Sequence, residues 1–266
     1  MTEANVLEKK MEMGSTYMNV VRFGTGKRVI VMVSGMLFTM LDGQGAGIAA
    51  AYSNLWEDYT TYLFTRKNVL EPTDRVHEMA EDLCEILGRL GVKKACFYGV
   101  SQGGMMILDI ALNHPEMVEK LAICSSYARP DDMMRNLSKE WVELGKKQDV
   151  VAINHIFSEK VYSPEYREMF KDAFKAIETV GTPLDCERFV IESKACAEFD
   201  VYDRLDEIKC PVLVIGGEKD QATGIGGTKE LAAKLNCECL IYENGYHALY
   251  DEIPEVKEKV KEFFDR

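Results

Sequence analysis

Ala95-Cys96-Phe97-Tyr98-Gly99-Val100-Ser101-Gln102-Gly103-Gly104 is the stretch on which the rest of the chain is read. A short apolar run rich in β-formers ends at Gly99, Ser101 stands at the turn, two glycines follow, and residues 105–112 read as a helix. This is G-x-S-x-G between a strand and a helix, the context that gives the pattern its meaning. A serine forced into so tight a turn stands clear of the sheet with its hydroxyl exposed. Gly99 and Gly103 lack the Cβ atoms that would collide with neighbouring backbone. The helix start places free N–H groups and a positive dipole end close to the serine oxygen. Taken alone, the motif also fits a serine that merely caps a helix, so the rest of the chain has to decide.

The chain has 266 residues, enough for one large α/β domain or a core with an inserted subdomain. Hydrophobic residues at 47% and charged residues at 29% place it among ordered globular proteins. A formal net charge of −12 with no run of lysine or arginine argues against nucleic acid or an anionic membrane as partner, leaving a small-molecule substrate. The segment Met1 to Lys10 is charged and has no apolar core, so no signal peptide is expected. No stretch approaches the ~18 apolar residues of a membrane span. The eight cysteines, at positions 84, 96, 124, 186, 196, 210, 237 and 239, show no C-x-x-C spacing and are expected to be reduced, in a cytoplasmic protein. No H-E-x-x-H or similar ligand spacing occurs, so neither a metal nor a cofactor is expected.

Residues 7–13 and 16–23 read as a hairpin about Gly14-Ser15, and 28–33 as a strand buried on both faces. Gly43-Gln44-Gly45-Ala46-Gly47 lies too far past that strand, at the wrong spacing, for a dinucleotide fingerprint, and reads as a flexible loop. Strands follow at 59–64, 95–98, 120–124, 210–215 and 239–242. Between them run helices, one strongly amphipathic, carrying Val76, Met79, Ala80, Leu83, Ile86, Leu87 and Leu90 and ending at Gly91. The alternation predicts an α/β fold: a mostly parallel, doubly wound sheet of about eight strands. It breaks between residues 127 and 199, where Pro130, Pro164, Gly181 and Pro183 punctuate about four helices. The expected division is a core of residues 1–126 and 200–266 with a helical cap inserted at 127–199.

In open α/β sheets, chemistry gathers beyond the carboxyl ends of the strands. Ser101, Asp220 and His247 fall there in that order. Ser101 would be the nucleophile, His247 its base, and Asp220 the group that orients and stabilises the imidazole. Glu218 is a rival acid two residues before Asp220. His77, His114 and His155 fit structural positions better, although His155 could face a pocket in the cap.

With these residues in place, the chain resembles α/β-hydrolase-fold proteins with a helical cap. The resemblance rests on Gly99 to Gly104, Pro211 to Asp220 and Gly245-Tyr246-His247, and extends over nearly the full length. It implies an oxyanion hole of two backbone N–H groups, from Gln102 and from Met36 in Ser34-Gly35-Met36. Ser34 stands where members often carry histidine, which is a departure from the usual loop. Ser101 in place of an elbow aspartate excludes the dehalogenase and epoxide-hydrolase chemistry of the family. The activity implied is that of a serine hydrolase, an esterase cleaving a small carboxylic ester through an acyl-serine. The same three residues would also serve a thioester, amide, lactone or carbon–carbon bond, or persist in a slow ligand-binding relative. Leu37, Met133, Met134, Phe157, Phe170 and Phe174 are expected to line the acyl pocket, though in the cap the same spacing also fits its own core.

Overall fold

The computed structural model describes residues 5–266; residues 1–4 of the segment read above for an export signal lie outside the described residues. The strands are β1 (Leu7–Met13), β2 (Thr16–Phe23), β3 (Arg28–Val33), β4 (Tyr59–Lys67), β5 (Ala95–Val100), β6 (Val118–Cys124), β7 (Val212–Gly217) and β8 (Glu238–Tyr242). They form one sheet in the order β1-β2-β4-β3-β5-β6-β7-β8. β2 pairs antiparallel with β1 and β4, and every other pairing is parallel. This is the expected α/β-hydrolase arrangement. The apolar runs β5 and β7 are buried along their whole length, as strands covered on both faces must be. The mostly exposed edge strand β1 carries Glu8, Lys9, Lys10 and Glu12, charges that discourage pairing with another chain.

Helices α1 (Gly45–Ala51) and α11 (Pro254–Asp265) cover one face. The other face is covered by α2 (Val76–Arg89), α3 (Gln102–Asn113) and α9 (Gly224–Leu235). On α2 the stripe from Val76 to Leu87 is buried as its periodicity requires. The Gly43–Gly47 stretch is not simply a loop, because α1 begins within it. The Glu8 carboxylate, brought from β1, accepts the N–H groups of Gly43 and Gly45 at 2.6 and 3.0 Å. That capping contact is long-range and leaves no local trace.

Between β6 and β7 the chain builds five helices rather than four: α4 (Asp132–Lys147), α5 (Val150–Val161), α6 (Pro164–Met169), α7 (Lys171–Ile177) and α8 (Pro183–Glu198). Asp131, Asp149, Ser163 and Thr182 each accept a backbone N–H at the start of a helix, which fixes four of the five entries. α4 packs against α8, and Trp141, Ile153 and Phe189 form a separate core with Met36 and Phe38 from the loop after β3. The Phe189 ring lies 5.4 Å from Trp141 and 5.6 Å from Phe38, centroid to centroid. The inserted helices therefore rest on the segment that leaves β3 beside Ser101.

The glycines differ sharply in what surrounds them. A Cβ on Gly99 would stand 2.4 Å from the Gly103 carbonyl oxygen, whereas one on Gly47, in α1, would meet nothing within 4 Å. In urea unfolding, Gly99→Ala should lose about 1–3 kcal/mol or more. Gly47→Ala should gain roughly 0.5–1 kcal/mol from reduced backbone entropy.

Candidate active site

Ser101 joins β5 to α3 with φ 53° and ψ −123°, a backbone conformation that costs a non-glycine residue about 1–3 kcal/mol. The surroundings hold it there. Its N–H donates to the Cys124 carbonyl at 2.9 Å, and its own carbonyl accepts Gly104 N–H at 2.9 Å and Ser126 Oγ–H at 2.8 Å. A Cβ on Gly103 would meet the Val33 carbonyl oxygen at 2.2 Å, so the turn can press against β3 only because glycine is there. Gly35 lies on the other side, its Cβ position 3.1 Å from the Ser101 Cβ.

Asp220 follows β7 and His247 follows β8. Their loops touch because Gly217 and Gly245 pack backbone to backbone, and Lys219 N–H donates to the Gly245 carbonyl at 2.9 Å. His247 Nδ1 lies 2.9 Å from Asp220 Oδ2, both side chains being almost wholly buried. Asp220 Oδ1 accepts Ala222 and Thr223 N–H at 2.8 and 2.9 Å, while Thr223 Oγ1–H donates to Oδ2 at 2.7 Å. Burial alone would push this carboxyl up; His247 and the Thr223 donors outweigh burial and hold it at about 2. The His247 carbonyl accepts Ser125 Oγ–H at 2.7 Å, and Ala248 N–H donates to Val161 of α5 at 2.9 Å. Glu218 instead points outward to Lys229 at 2.8 Å. Contact with the imidazole is made by Asp220.

Gln102 follows Ser101 in sequence and Met36 follows Gly35, which packs against Ser101; neither of their N–H groups donates to a partner among the described residues. The Gln102 side chain turns away into a buried network centred on Arg66. Arg66 donates to Gln102 Oε1 at 2.8 Å through Nε and to the Ser34 carbonyl at 2.7 Å. Gln102 Nε2 donates to the Glu192 carbonyl at 3.1 Å, and the buried Glu192 carboxylate lies 3.7 Å from Arg66. One guanidinium thus ties together the loop after β3, the elbow and α8. β4 runs on through Arg66 instead of stopping at Phe64, and a charge inside a strand pattern was the available sign of this network.

A cavity of about 330 Å³ opens beside Ser101 and His247. Of the six residues named for the pocket, Leu37, Met134 and Phe157 line it, together with Met36, Leu137, Trp141, Tyr98 and Asp251, which the sequence reading did not place there. Met133, Phe170 and Phe174 do not line it. Met133 is 41% exposed, with its terminal methyl against Gly224. Phe170 is 42% exposed and packs on Tyr166, and Phe174 packs on Tyr162. The inward face of α4 carries Met134, Leu137, Ser138, Trp141 and Gly145, a helical spacing that excludes Met133. His155 is exposed beside Glu159, away from the cavity lining. One group of possible ligand atoms occurs among the described residues, at His77, Glu81 and Asp109. Hydrogen bonds of 3.0 Å from His77 to Asp109 and 2.7 Å from His114 to Glu81 already account for that group.

The family described as alpha/beta hydrolase fold matches residues 38–254. A Rhizobium rhizogenes strain K84 protein named "Putative carbamate hydrolase RutD" is 26% identical over 237 residues, covering 86% of this chain and 88% of that one. The 3-oxoadipate enol-lactonase 1 of Acinetobacter baylyi is 28% identical over 203 residues, covering 74% of this chain and 73% of its own. Among solved structures, the enol-lactonase of Burkholderia xenovorans LB400 superposes with a TM-score of 0.84 at 18% identity, covering 97% of this chain and all (100%) of its own. MGS-M2, an alpha/beta hydrolase enzyme from a Medee basin deep-sea metagenome library, gives 0.85 at 22% identity, covering 97% and 98%. At these identities the two structures speak for the fold.

Two stability measurements follow from the geometry. The Asp220 carboxyl is depressed in the folded chain, so its contribution is present above the ordinary carboxylate range and lost as pH falls toward 2. In urea unfolding, the wild-type advantage over Asp220→Asn should shrink by about 2 kcal/mol between pH 5 and pH 2. Arg66→Met strands the buried Glu192 carboxylate and should cost about 3–5 kcal/mol, part of which Arg66→Met/Glu192→Leu restores.

Proposed function

This chain belongs to the alpha/beta hydrolase fold family, and we propose that it is a serine hydrolase cleaving a small carboxylic ester or lactone through an acyl-serine intermediate. The observation that carries this reading is the buried His247–Asp220 pair, 2.9 Å apart, with its imidazole lining the same cavity as the strained Ser101. Asp220 faces Nδ1, which favours the tautomer protonated there and leaves the Nε2 lone pair for the serine hydroxyl. His247 takes the Ser101 proton as Oγ attacks the acyl carbon, and returns it to the leaving oxygen. Water then repeats the step in reverse and frees Ser101. The Met36 and Gln102 N–H groups receive the oxyanion, a contribution on the order of 10²–10³ in turnover for each donor.

The named relatives support an acyl-transfer reading, since one is called a carbamate hydrolase and the other an enol-lactonase. A lactone is an ester closed into a ring, so one machinery serves both. Residues 127–199 act as the cap, contributing Met134, Leu137, Trp141 and Phe157 to the cavity wall. We place the protein in the cytoplasm, in keeping with eight free cysteines and with the absence, among the described residues, of a helix long and apolar enough to cross a membrane.

Ser101→Ala should abolish both hydrolysis of p-nitrophenyl acetate and labelling by a fluorophosphonate probe. Asp220→Asn should lower kcat by roughly 10⁴, while Glu218→Gln stays within a few fold of wild type. Undiminished hydrolysis by folded Ser101→Ala would overturn the assignment. A folded wild-type protein that neither turns over nor labels would favour a binding role.

A further inference from the structure

We propose that Asp251, with the tyrosine rings around it, forms a subsite in the cavity that selects substrates carrying a protonated amine over those carrying a carboxylate. The proposal rests on the acyl-serine reading for what happens at Ser101 and concerns the rest of the substrate. Its first support is the charge of the cavity wall. Among the described residues, no lysine or arginine lines the cavity, and Asp251 is the one carboxylate that does. An anionic substrate would therefore meet a negative charge with no basic side chain to receive it.

The second support is that, among the described residues, no side chain bonds the Asp251 carboxylate directly, although Lys257, 4.8 Å from the Tyr52 ring, acts on it through space. Asp251 sits on the short helix α10 (Leu249–Glu252), four residues beyond His247. No hydrogen bond or ion pair to its carboxylate occurs among the described residues. The adjacent Glu252, by contrast, is engaged, accepting Ser163 N–H at 2.8 Å.

The third support comes from the ring of phenols. Tyr52, Tyr98, Tyr162 and Tyr250 line the cavity with Asp251. Tyr98 is 2% exposed, and its hydroxyl is buried beside Tyr52 and the Cys124 thiol, so the ring and not the hydroxyl faces the cavity. An ammonium is the group that suits all these neighbours. It donates to a carboxylate, and aromatic faces attract it.

Asp251 is exposed on its solvent side, and protein packs densely around its other side. Burial, opposed by Lys257 and reinforced by Glu252, pushes its carboxyl up to about 6. The other titratable groups that feel it are the phenols of Tyr52, Tyr98, Tyr162, Tyr166 and Tyr250 and the Cys124 thiol. Burial raises every one of these, so they stay neutral between pH 5 and 8. Asp251 is then charged at pH 7.5 and largely neutral at pH 5.

The test uses three p-nitrophenyl esters whose acyl chains end in a dimethylamino group, an isopropyl group or a carboxylate, three ends of similar size. For the wild type at pH 7.5, kcat/KM for the dimethylammonium ester should exceed that of the isopropyl ester by about tenfold and that of the carboxylate ester by about a hundredfold. The ammonium-to-isopropyl ratio should fall toward one as pH drops from 7.5 to 5; taking a ratio cancels any change at His247, which both esters need. Asp251→Asn should flatten the three rates to within about threefold of one another. Equal wild-type rates, or a preference that survives Asp251→Asn, would overturn the subsite while leaving the neutral hydrolase intact. If no ester is turned over, calorimetric binding of N,N-dimethylpentylamine reads the subsite alone. Affinity lost in Asp251→Asn supports it, and equal affinity overturns it.

Discussion

Everything near the site depends on one steric constraint, the approach of the β5–α3 turn to the backbone around it. Ser101 keeps its strained φ of 53° because the Cys124 carbonyl and Ser126 hydroxyl fasten it from one side. β3 and Gly35 crowd it from the other. Side chains at Gly99 or Gly103 would drive these segments apart by more than packing tolerates. The same crowding sets the position of the loop after β3. That loop carries Met36 and, through Phe38, supports the inserted helices. Strain at one serine is thus held by contacts that also shape the cavity.

Arg66 extends this constraint by electrostatics. A buried guanidinium gains little net stability from its partners, but removing one of them leaves a charge in a low-dielectric interior. It bonds both the Ser34 carbonyl and the Gln102 side chain, so neither segment can shift without breaking a charge-assisted hydrogen bond. Burial pushes the Glu192 carboxyl up, and Arg66 opposes it. This couples α8 of the inserted segment to the elbow.

Much of the fold was legible because its signals are local. β3, β5, β6 and β7 announce themselves as apolar runs, and α2 by its stripe. Ser101, Asp220 and His247 could be picked out because chain order and strand ends confine such residues to one edge of a parallel sheet. What escaped depends on contacts between distant segments. α1 needs Glu8 from β1, and Arg66 acquires meaning only beside Gln102 and Glu192. Met133 and Met134 are adjacent in sequence, yet one faces solvent and the other the cavity; the 3.6-residue period of α4 held that information, and residue type alone did not. Phe170 and Phe174 pack outward on Tyr166 and Tyr162, an arrangement fixed by the angles of two short helices that no periodicity encodes.

The central claim is that Ser101 becomes covalently acylated, with His247 and Asp220 driving the transfer. Rapid quenching during turnover of p-nitrophenyl acetate, followed by mass spectrometry of the digested protein, tests it directly. The account predicts one added acetyl group on the peptide that holds Ser101, accumulating before steady state and absent from Ser101→Ala. Steady turnover with that peptide unmodified, or with the acetyl group on another residue, would contradict it.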